Sequence, residues 1–284
     1  MDAQRSGWWM KRISRFLGYS ILIITSLILI SPFFFMVVSS FKVDAEYLTY
    51  PIRVFPRVPQ WQNYRQVFTM TPFAKVALRT ALLALSVATI SAIISSLAGY
   101  AFARYKDVSG NQQLFGLVVA MLIVPFIVIL IPQFILYARL KLTNTYWPWI
   151  LGALAGHPYN IFMFRQFFLN FPRELEDAAE VDGCGPFRVY WQIFLPNAKP
   201  VIATVMIFTF MGVWGDYLMP LIYLNVNKTL LGVVLASAFK NPQGGELKTV
   251  TMAASVIYIL PMIIVFFLGQ KHILKGVVTS GLKG

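Results

Sequence analysis

The segment ELEDAAEVDGCGPFRVYWQIFLPNAKP, residues 174–200, begins with a cluster of acidic residues and lies between two long apolar runs. Five of the eleven acidic residues of the chain fall within its first nine positions. Such charges must lie in water, whereas the runs on either side are long enough to lie in a membrane. The segment therefore predicts a water-exposed connection in a membrane protein, at a point where a soluble protein could dock.

The composition supports a membrane protein. Of the 284 residues 58% are hydrophobic and 12% are charged, whereas about 25% of the residues in ordinary soluble domains are charged. A helix needs about 20 apolar residues to cross a bilayer, and in lipid the backbone must satisfy its own hydrogen bonds. The sequence therefore predicts an all-α integral membrane fold with six transmembrane helices, in the uncharged runs 16–38, 80–103, 108–138, 142–164, 200–227 (interrupted by Asp216) and 249–270.

The apolar run 229–239 is too short to cross a bilayer, which predicts a re-entrant or surface element. With six spans both termini lie on one side, and placing them inside puts thirteen Lys and Arg residues inside and eleven outside. The compact basic N-tail favours N-in and C-in. The predicted parts are a cytoplasmic N-tail 1–15, a transmembrane domain 16–270 with a cytoplasmic connection 171–198 and an outer loop 225–248, and a cytoplasmic C-tail 271–284.

Several chemistries are excluded or disfavoured. Cys184 is the single cysteine, so the chain has no internal disulfide or multi-cysteine metal site, and His157 and His272 lack ligand-spaced partners. There is no Gly-x-x-x-x-Gly-Lys-Ser/Thr motif to hold ATP. The net charge of +13 fits basic flanks at anionic membrane lipid, and no soluble domain with a basic face is present for nucleic acid.

The residue types predict a helix, turn and helix within the charged segment. Asn170 suits an N-cap and Pro172 suits a first turn, so a helix from about Pro172 to Asp182 is expected. Gly183 then provides a left-handed stop. Gly185-Pro186 opens a second helix that is expected to end before Pro196.

The same residues carry a family resemblance. The pattern Asp177-Ala178-Ala179, then Gly183 after three residues, then Ile193, Leu195 and Pro196 resembles the "EAA" signature of ABC importer permeases, Glu-Ala-Ala-x3-Gly-x9-Ile-x-Leu-Pro. Asp177 stands where the family usually has Glu. The alternative reading of an acidic amphipathic helix in a membrane protein is a solvated connector.

The resemblance extends along nearly the whole chain to the carbohydrate branch, the maltose-type permeases and in particular their smaller, MalG-like member. Asp182-Gly183 and Phe187 fit the version of the signature in that branch. Two departures are Gly215, where Asn is usual before the acid, and Arg79-Thr80, where Asn-Ser is common. The other matching patterns are Ser40-Phe41-Lys42, Asn63-Tyr64, 98–104 (AGYAFAR), Ile131-Pro132, Asn160-Ile161-Phe162, Trp214-Gly215-Asp216-Tyr217 and 279–284 (TSGLKG).

What the resemblance implies is a permease subunit that is not an enzyme, in a prokaryotic plasma (inner) membrane, that imports a sugar such as an oligosaccharide or polyol. It implies four kinds of partner: a homologous second permease, two ATPase subunits, an extracytoplasmic binding protein and membrane lipid. No cofactor is expected in the chain, since ATP and Mg would be bound by the ATPase. The residues expected to couple to the ATPase are Glu174, Asp177, Ala178, Ala179, Asp182, Gly183, Phe187, Ile193, Leu195 and Pro196, with C-tail contacts from Thr279, Ser280, Gly281 and Lys283.

A polar path for the solute is expected among the spans. Pro125 and Pro132 predict kinks in the third run, and kinks open polar cavities. Sugars are held by hydrogen bonds and aromatic faces, although each such residue can equally serve helix packing or capping. The candidates are Gln133, Asn160, Trp214, Asp216 and Tyr217, and the candidate contacts for the binding protein are Asn241, Gln243 and Gly244 in the outer loop.

Two other functions stay open at this point. A permease for another small solute of the same superfamily would keep the charged connection but lack the sugar-branch patterns. A membrane-embedded enzyme would need clustered acids or a nucleophile with a base, whereas Asp216 stands alone within an apolar run.

Overall fold

The structure, a computed structural model, describes the backbone of residues 2–47, 49–51 and 53–281, with the side chains of 12, 14–47, 49–51 and 53–271. The chain divides into two compact units, Met1–Thr71 with Ala238–Tyr258 and Pro72–Ser237 with Ile259–Gly284. The described residues form helices, and apart from one isolated bridge between Lys240 and Glu246 they contain no β-structure.

The first unit contains helices α1 Asp2–Ser39, α2 Asp44–Tyr47 and α3 Gln62–Met70 and the start of the last helix, α15 Lys248–Gly281. The buried Asn63 amide donates to the carbonyls of Ser40 and Lys42, at 2.8 Å each. The hydroxyls of Ser40 and Tyr64 lie 2.7 Å apart. Two of the family-like patterns in the sequence therefore serve to fix the end of α1 against α3.

The second unit contains the remaining helices and the end of α15. The long helix α4 packs against α8 and α12 through a buried face rich in Ala and Ser, which lets helices approach closely. The helices are α4 Phe73–Arg104, α5 Asn111–Ala120, α6 Phe126–Arg139, α7 Trp147–Leu154, α8 Pro158–Leu169, α9 Glu174–Val181, α10 Pro186–Val189, α11 Leu195–Asn197, α12 Lys199–Trp214, α13 Leu218–Tyr223 and α14 Leu231–Ser237.

Gly99 marks the closest approach of α4 and α8. A Cβ atom at this position would lie 2.5 Å from the Cβ of Phe164 and 2.9 Å from the backbone nitrogen of Arg165. Both atoms belong to rigid parts of α8, so no side chain larger than hydrogen fits.

Three helices of the described chain are long and apolar enough to cross a membrane, namely Ser14–Ser39, Phe73–Arg104 and Lys248–Lys271. A fourth span results if Pro186–Asn197 and Lys199–Trp214, which meet at 77°, count as one. The predicted third, fourth and fifth runs are not single helices. In the third and fourth runs the backbone is extended at Pro125 and His157, and a new helix begins after each of them. In the fifth run the break is the loop between α12 and α13.

Candidate docking surface and internal cavity

The charged segment folds into a helix and turn, with corrections at its ends. The helix α9 starts at Glu174, because Asn170 follows α8 as its C-cap instead of capping the next helix. Gly183 ends α9 with φ of +75°, as its residue type predicts. Pro186 opens α10, also as predicted.

Pro196 does not end the second helix, contrary to the prediction. Residues Tyr190–Phe194 form a π-helical turn, and the chain continues as α11 through Pro196 to Asn197. The Asn197 side chain donates to the carbonyl of Ile193 at 2.7 Å, beside Pro196, which has no N–H of its own to donate. The segment then bends by 77° into α12.

One face of the helix–turn–helix segment, residues 174–197, is exposed and carries both acidic and apolar side chains. Val181 is 88% exposed and Phe187 68% exposed, and the Phe187 ring stacks on Trp191. Together the residues form a surface with both charge and apolar area for a partner. We call this face the docking surface; its exposed members are Glu174, Leu175, Asp177, Ala178, Val181, Asp182, Gly183, Phe187, Trp191 and Pro196.

Three of the predicted contact residues support this surface from beneath. Ala179 is buried, and Ile193 and Leu195 are half-buried against the same core cluster. Of the two alanines expected to contact a partner, Ala178 therefore lies on the docking surface and Ala179 beneath it. The cluster that receives them contains Tyr100, Phe164, Phe168, Val189, Tyr190, Phe194 and Ala198.

Arg104, the last residue of α4, holds the helix–turn–helix segment of residues 174–197 in place. Its Nε lies 3.2 Å from Oε1 of Glu176 on α9, and its Nη2 donates to the carbonyl of Phe171 at 2.9 Å. Its guanidinium carbon lies 4.8 Å from the ring centroid of Phe194. The Nε–H is not aligned for a hydrogen bond with the carboxylate, so the contact with Glu176 is an ion pair.

Burial and the neighbouring positive charge shift the pKa of Glu176 in opposite directions. Burial raises the pKa of the Glu176 carboxyl above its ordinary value, and the guanidinium of Arg104 acts in the opposite direction. A second link to α4 is neutral, since the hydroxyls of Ser96 and Tyr190 lie 2.7 Å apart. The docking surface is thus attached directly to one end of the longest helix of its unit.

A cavity of about 400 Å³ lies among α4, α6, α7, α8, α12 and α13. This volume is within the range of small-molecule sites, about 300–1,000 Å³. Its lining combines polar and aromatic side chains, and none of its residues, all within the described chain, carries a Lys, Arg, Asp or Glu side chain. The polar and aromatic members are Ser91, Phe126, Gln133, Trp149, His157, Tyr159, Asn160, Phe208 and Thr209.

Two of the predicted path residues line this cavity. The buried Asn160 donates through Nδ2 to the hydroxyls of Ser91 at 3.0 Å and Thr209 at 3.3 Å, which ties α8 to α4 and α12. Gln133 donates weakly to the hydroxyl of Tyr137 at 3.4 Å. Its Oε1 is buried and accepts no hydrogen bond within the described residues.

The other three candidates do not line the cavity. Trp214 is buried and stacks on Phe210, and Tyr217 is exposed. Asp216 lies behind the wall, where Oδ2 accepts from the indole Nε1 of Trp149 at 3.1 Å and Oδ1 accepts from the backbone N–H of Met219 at 3.1 Å. Asp216 thus caps α13 and fixes the orientation of Trp149, an aromatic lining residue that the sequence did not indicate.

Part of the predicted outer loop, residues 240–246, forms a small hairpin in the first unit. The backbone N–H of Asn241 donates to the carbonyl of Gly245 at 2.8 Å, and the N–H of Gly245 donates to Oδ1 of Asn241 at 2.7 Å. The turn predicted from Pro242 and the two glycines is therefore present. Gln243 and Gly244 are exposed at its tip, whereas the Asn241 side chain is used within the turn.

Of the predicted C-tail contacts, Thr279, Ser280 and Gly281 lie at the end of α15, whose backbone is helical through Gly281. The side chains of Thr279 and Ser280, that of His272, and all of Lys283 lie outside the described residues. The described residues contain no group of three or more His, Cys, Asp or Glu that could hold a metal ion.

Comparison with known proteins agrees with these features. A family model described as "Binding-protein-dependent transport system inner membrane component" matches residues 95–279, a range that includes the docking surface. The chain is 34% identical over 198 residues, 70% of each chain, to the arabinooligosaccharides transport system permease protein AraQ of Halalkalibacterium halodurans. It is 32% identical to the maltodextrin transport system permease protein MalD of Streptococcus pneumoniae, over 96% of this chain and 97% of the other.

A solved structure shows the same fold. It is the structure of a bacterial ABC transporter involved in the import of the acidic polysaccharide alginate, with a TM-score of 0.79 and 21% identity. The likeness covers 92% of this chain and 97% of the other.

Proposed function

This chain belongs to the family of binding-protein-dependent transport system inner membrane components, and on that premise we propose that it carries a sugar across the inner membrane as one permease subunit of an ABC importer. The family and the relatives are transport permeases, so the chain is a transport subunit and not an enzyme. The family match carries this conclusion. The two relatives named above act on arabinooligosaccharides and maltodextrin, which supports an oligosaccharide or a related polyol as the solute.

The docking surface is proposed to receive the ATPase subunit. An exposed acidic and apolar face on a short helix is suited to a cleft in a soluble partner, and its rigid attachment to α4 transmits movement. Displacement of α9 by the ATPase would move Arg104 and the end of α4 with it. Since α4 also lines the cavity through Val87 and Ser91, the same helix links the motor contact to the solute path.

The cavity is proposed as part of the solute path. The free acceptor of Gln133 and the face of Trp149 are the groups that a sugar uses, namely a hydrogen-bond acceptor for a hydroxyl and an aromatic surface for a ring face. The neutral lining fits an uncharged sugar. In this proposal Asp216 acts on the path through Trp149 and does not touch the solute.

The remaining parts of the assembly are proposed from the family. They are a homologous second permease, two ATPase subunits that bind ATP and Mg, and an extracytoplasmic binding protein. Six spans with both termini inside would place the docking surface in the cytoplasm and the hairpin tip outside. The exposed tip at Gln243 and Gly244 is then available to the binding protein, and the end of α15 is available to the ATPase.

Uptake by the purified complex tests the function. The chain is reconstituted with its partner subunits in proteoliposomes, with ATP inside and the binding protein outside, and uptake of labelled arabino- and malto-oligosaccharides, a polyol and an amino acid is measured. ATP-dependent uptake of one sugar is expected. Uptake of the amino acid alone would show a permease for another solute of the superfamily and contradict the sugar assignment.

A further inference from the structure

A cluster of three basic residues lies near the end of α4 that is opposite the docking surface, and the Nζ of one of them, Lys228, donates to the carbonyl of Asn144 at 3.0 Å. Lys75 and Arg79 lie one turn apart on α4, and Lys228 lies in the loop before α14. Arg79 Nη1 donates to the carbonyl of Asn227 at 2.7 Å, which brings it next to Lys228 along the chain. The hydroxyl of Tyr146 donates to the carbonyl of Lys228 at 2.9 Å, so the cluster also borders α7.

No acidic side chain of the described residues pairs with these cations. Among the residues that the structure describes, ion pairs form between Arg57 and Glu46 and between Arg104 and Glu176, and neither involves this cluster. Lys75 lies in the first turn of α4, where the helix dipole is itself positive. A cation at that position is unfavourable by itself, so the cluster is a place where an anion would be stabilised.

The cluster borders two concavities that share Tyr146 and Ile150, with volumes of about 470 Å³ and about 320 Å³. The first continues from Lys75 and Arg79 along exposed apolar side chains at successive turns of α4, Leu78 and Leu82. We call both together the basic groove. The basic groove is thus positively charged at the end that contains Lys75 and Arg79, and it continues as an apolar track along Leu78 and Leu82.

The depth of the groove follows from helix geometry. Lys75 and Arg104 are 29 positions apart on one helix, or about 43 Å at 1.5 Å per residue. The hydrocarbon core is about 30 Å thick, so these residues lie at opposite membrane interfaces. Trp147, exposed beside the groove, is a side chain typical of that level.

We propose that the basic groove binds an anionic phospholipid, with its phosphate group at Lys75, Arg79 and Lys228 and one acyl chain along Leu78 and Leu82. The apolar track favours a lipid over a free phosphate or an acidic sugar, since neither of these has an apolar part to bury. Such a site is independent of the transported solute. The bound lipid would also neutralise the cations that surround the loop preceding α14.

Native mass spectrometry of the detergent-solubilised complex tests this site. The complex is titrated with phosphatidylglycerol or with phosphatidylcholine of the same acyl chains. Retention of phosphatidylglycerol is expected to weaken about fivefold for Lys75→Gln and about fivefold for Lys228→Gln, because each cation near a membrane surface contributes on this scale. Lys106→Gln, which removes an equal charge from the exposed loop after α4, should change retention less than twofold.

Three further results separate the possible ligands. Leu82→Gln should weaken phosphatidylglycerol retention while leaving the basic cluster unchanged. Equal retention of the two lipids by the wild-type complex would overturn the proposal. So would wild-type retention of phosphatidylglycerol by a complex that carries both Lys75→Gln and Lys228→Gln. Displacement of the lipid by millimolar inorganic phosphate or by galacturonate oligomers would show that the groove takes a free anion instead.

Discussion

The guanidinium of Arg104 and the carboxylate of Glu176 form an ion pair across 3.2 Å, between the end of α4 and the first turn of α9. The side chains are 8% and 19% exposed, so the pair is largely screened from water by the protein. It joins the helix that lines the cavity to the helix that carries the docking surface. The pair is therefore one direct contact between these two helices.

Arg104→Ala should destabilise the complex by roughly 3 kcal/mol and abolish ATP-driven uptake, because it leaves a partly buried carboxylate unpaired and also removes the bond to Phe171. Glu176→Gln should have a smaller effect, since glutamine keeps the size and a hydrogen-bonding group of the side chain and Arg104 keeps its bond to the Phe171 carbonyl. Thermal unfolding and uptake are measured together. Glu180→Gln removes an exposed charge from the same helix as a control, and an Arg104→Ala complex of wild-type stability and activity would refute the role of the pair.

Gly183→Ala should reduce coupled transport while membrane insertion stays normal. At φ of +75° an alanine costs about 1–2 kcal/mol, and relief of this strain would shift α9. Gly185→Ala is the matched control, since Gly185 has φ of −71° and neither position has a neighbouring atom within 4 Å of an added Cβ. Equal effects of the two substitutions on the ratio of transport to ATP hydrolysis would contradict the prediction.

Gly99→Ala should destabilise the second unit by about 1–3 kcal/mol, because the added Cβ meets Phe164 and the backbone of Arg165. The melting temperature of the purified complex measures this effect. Gly116→Ala, in α5 where no atom lies within 4 Å, should be neutral or slightly stabilising. A melting temperature for Gly99→Ala that equals the wild-type value would mean that the two helices separate easily.

Asp216→Asn should raise the KM for the solute, and Asp216→Ala should raise it further. ATP hydrolysis should be largely retained in both variants. The carboxylate accepts one hydrogen bond at each oxygen, so asparagine can satisfy either Trp149 or Met219, and alanine satisfies neither. A buried donor left without a partner costs about 1–3 kcal/mol. Trp149→Phe keeps a ring but lacks the N–H donor. In a Trp149→Phe background, Asp216→Asn should therefore cause no further rise in KM. Additive effects of the two substitutions on KM would argue against the pairing of Trp149 with Asp216.

Cysteines placed at Gln243 and Gly244, in a Cys184→Ser background, should react with an impermeant thiol reagent from outside. Both positions are exposed at the hairpin tip. Docking of the binding protein should slow the reaction several-fold and permit a crosslink. Labelling from the cytoplasmic side would reverse the proposed topology, whereas outside labelling without protection would remove the binding-protein contact alone.

The sequence predicted those features that depend on local chemistry. Apolar runs indicated a helical membrane protein, the glycine at 183 indicated a left-handed helix end, and Pro242 with two glycines indicated a turn. The docking surface followed from a spaced motif, and the family match contains it.

Features that depend on pairs distant in the chain could not be predicted. Trp149 and Asp216 are 67 positions apart, and Arg104 and Glu176 are 72 positions apart. No periodicity identifies such partners. The bend before α6 in the third run was indicated by Pro125, whereas the breaks within the fourth and fifth runs were missed, because hydropathy counts apolar residues and does not record where the backbone changes direction.

The division of the fourth run into α7 and α8 has a consequence for biosynthesis. Their 8 and 12 residues correspond to about 12 Å and about 18 Å of helix, each less than the roughly 30 Å hydrocarbon core. Neither helix alone is long enough to cross the bilayer. Their insertion should therefore depend on packing against α4, which precedes them, and α12, which follows them, and truncation before α12 should leave this part of the chain unassembled.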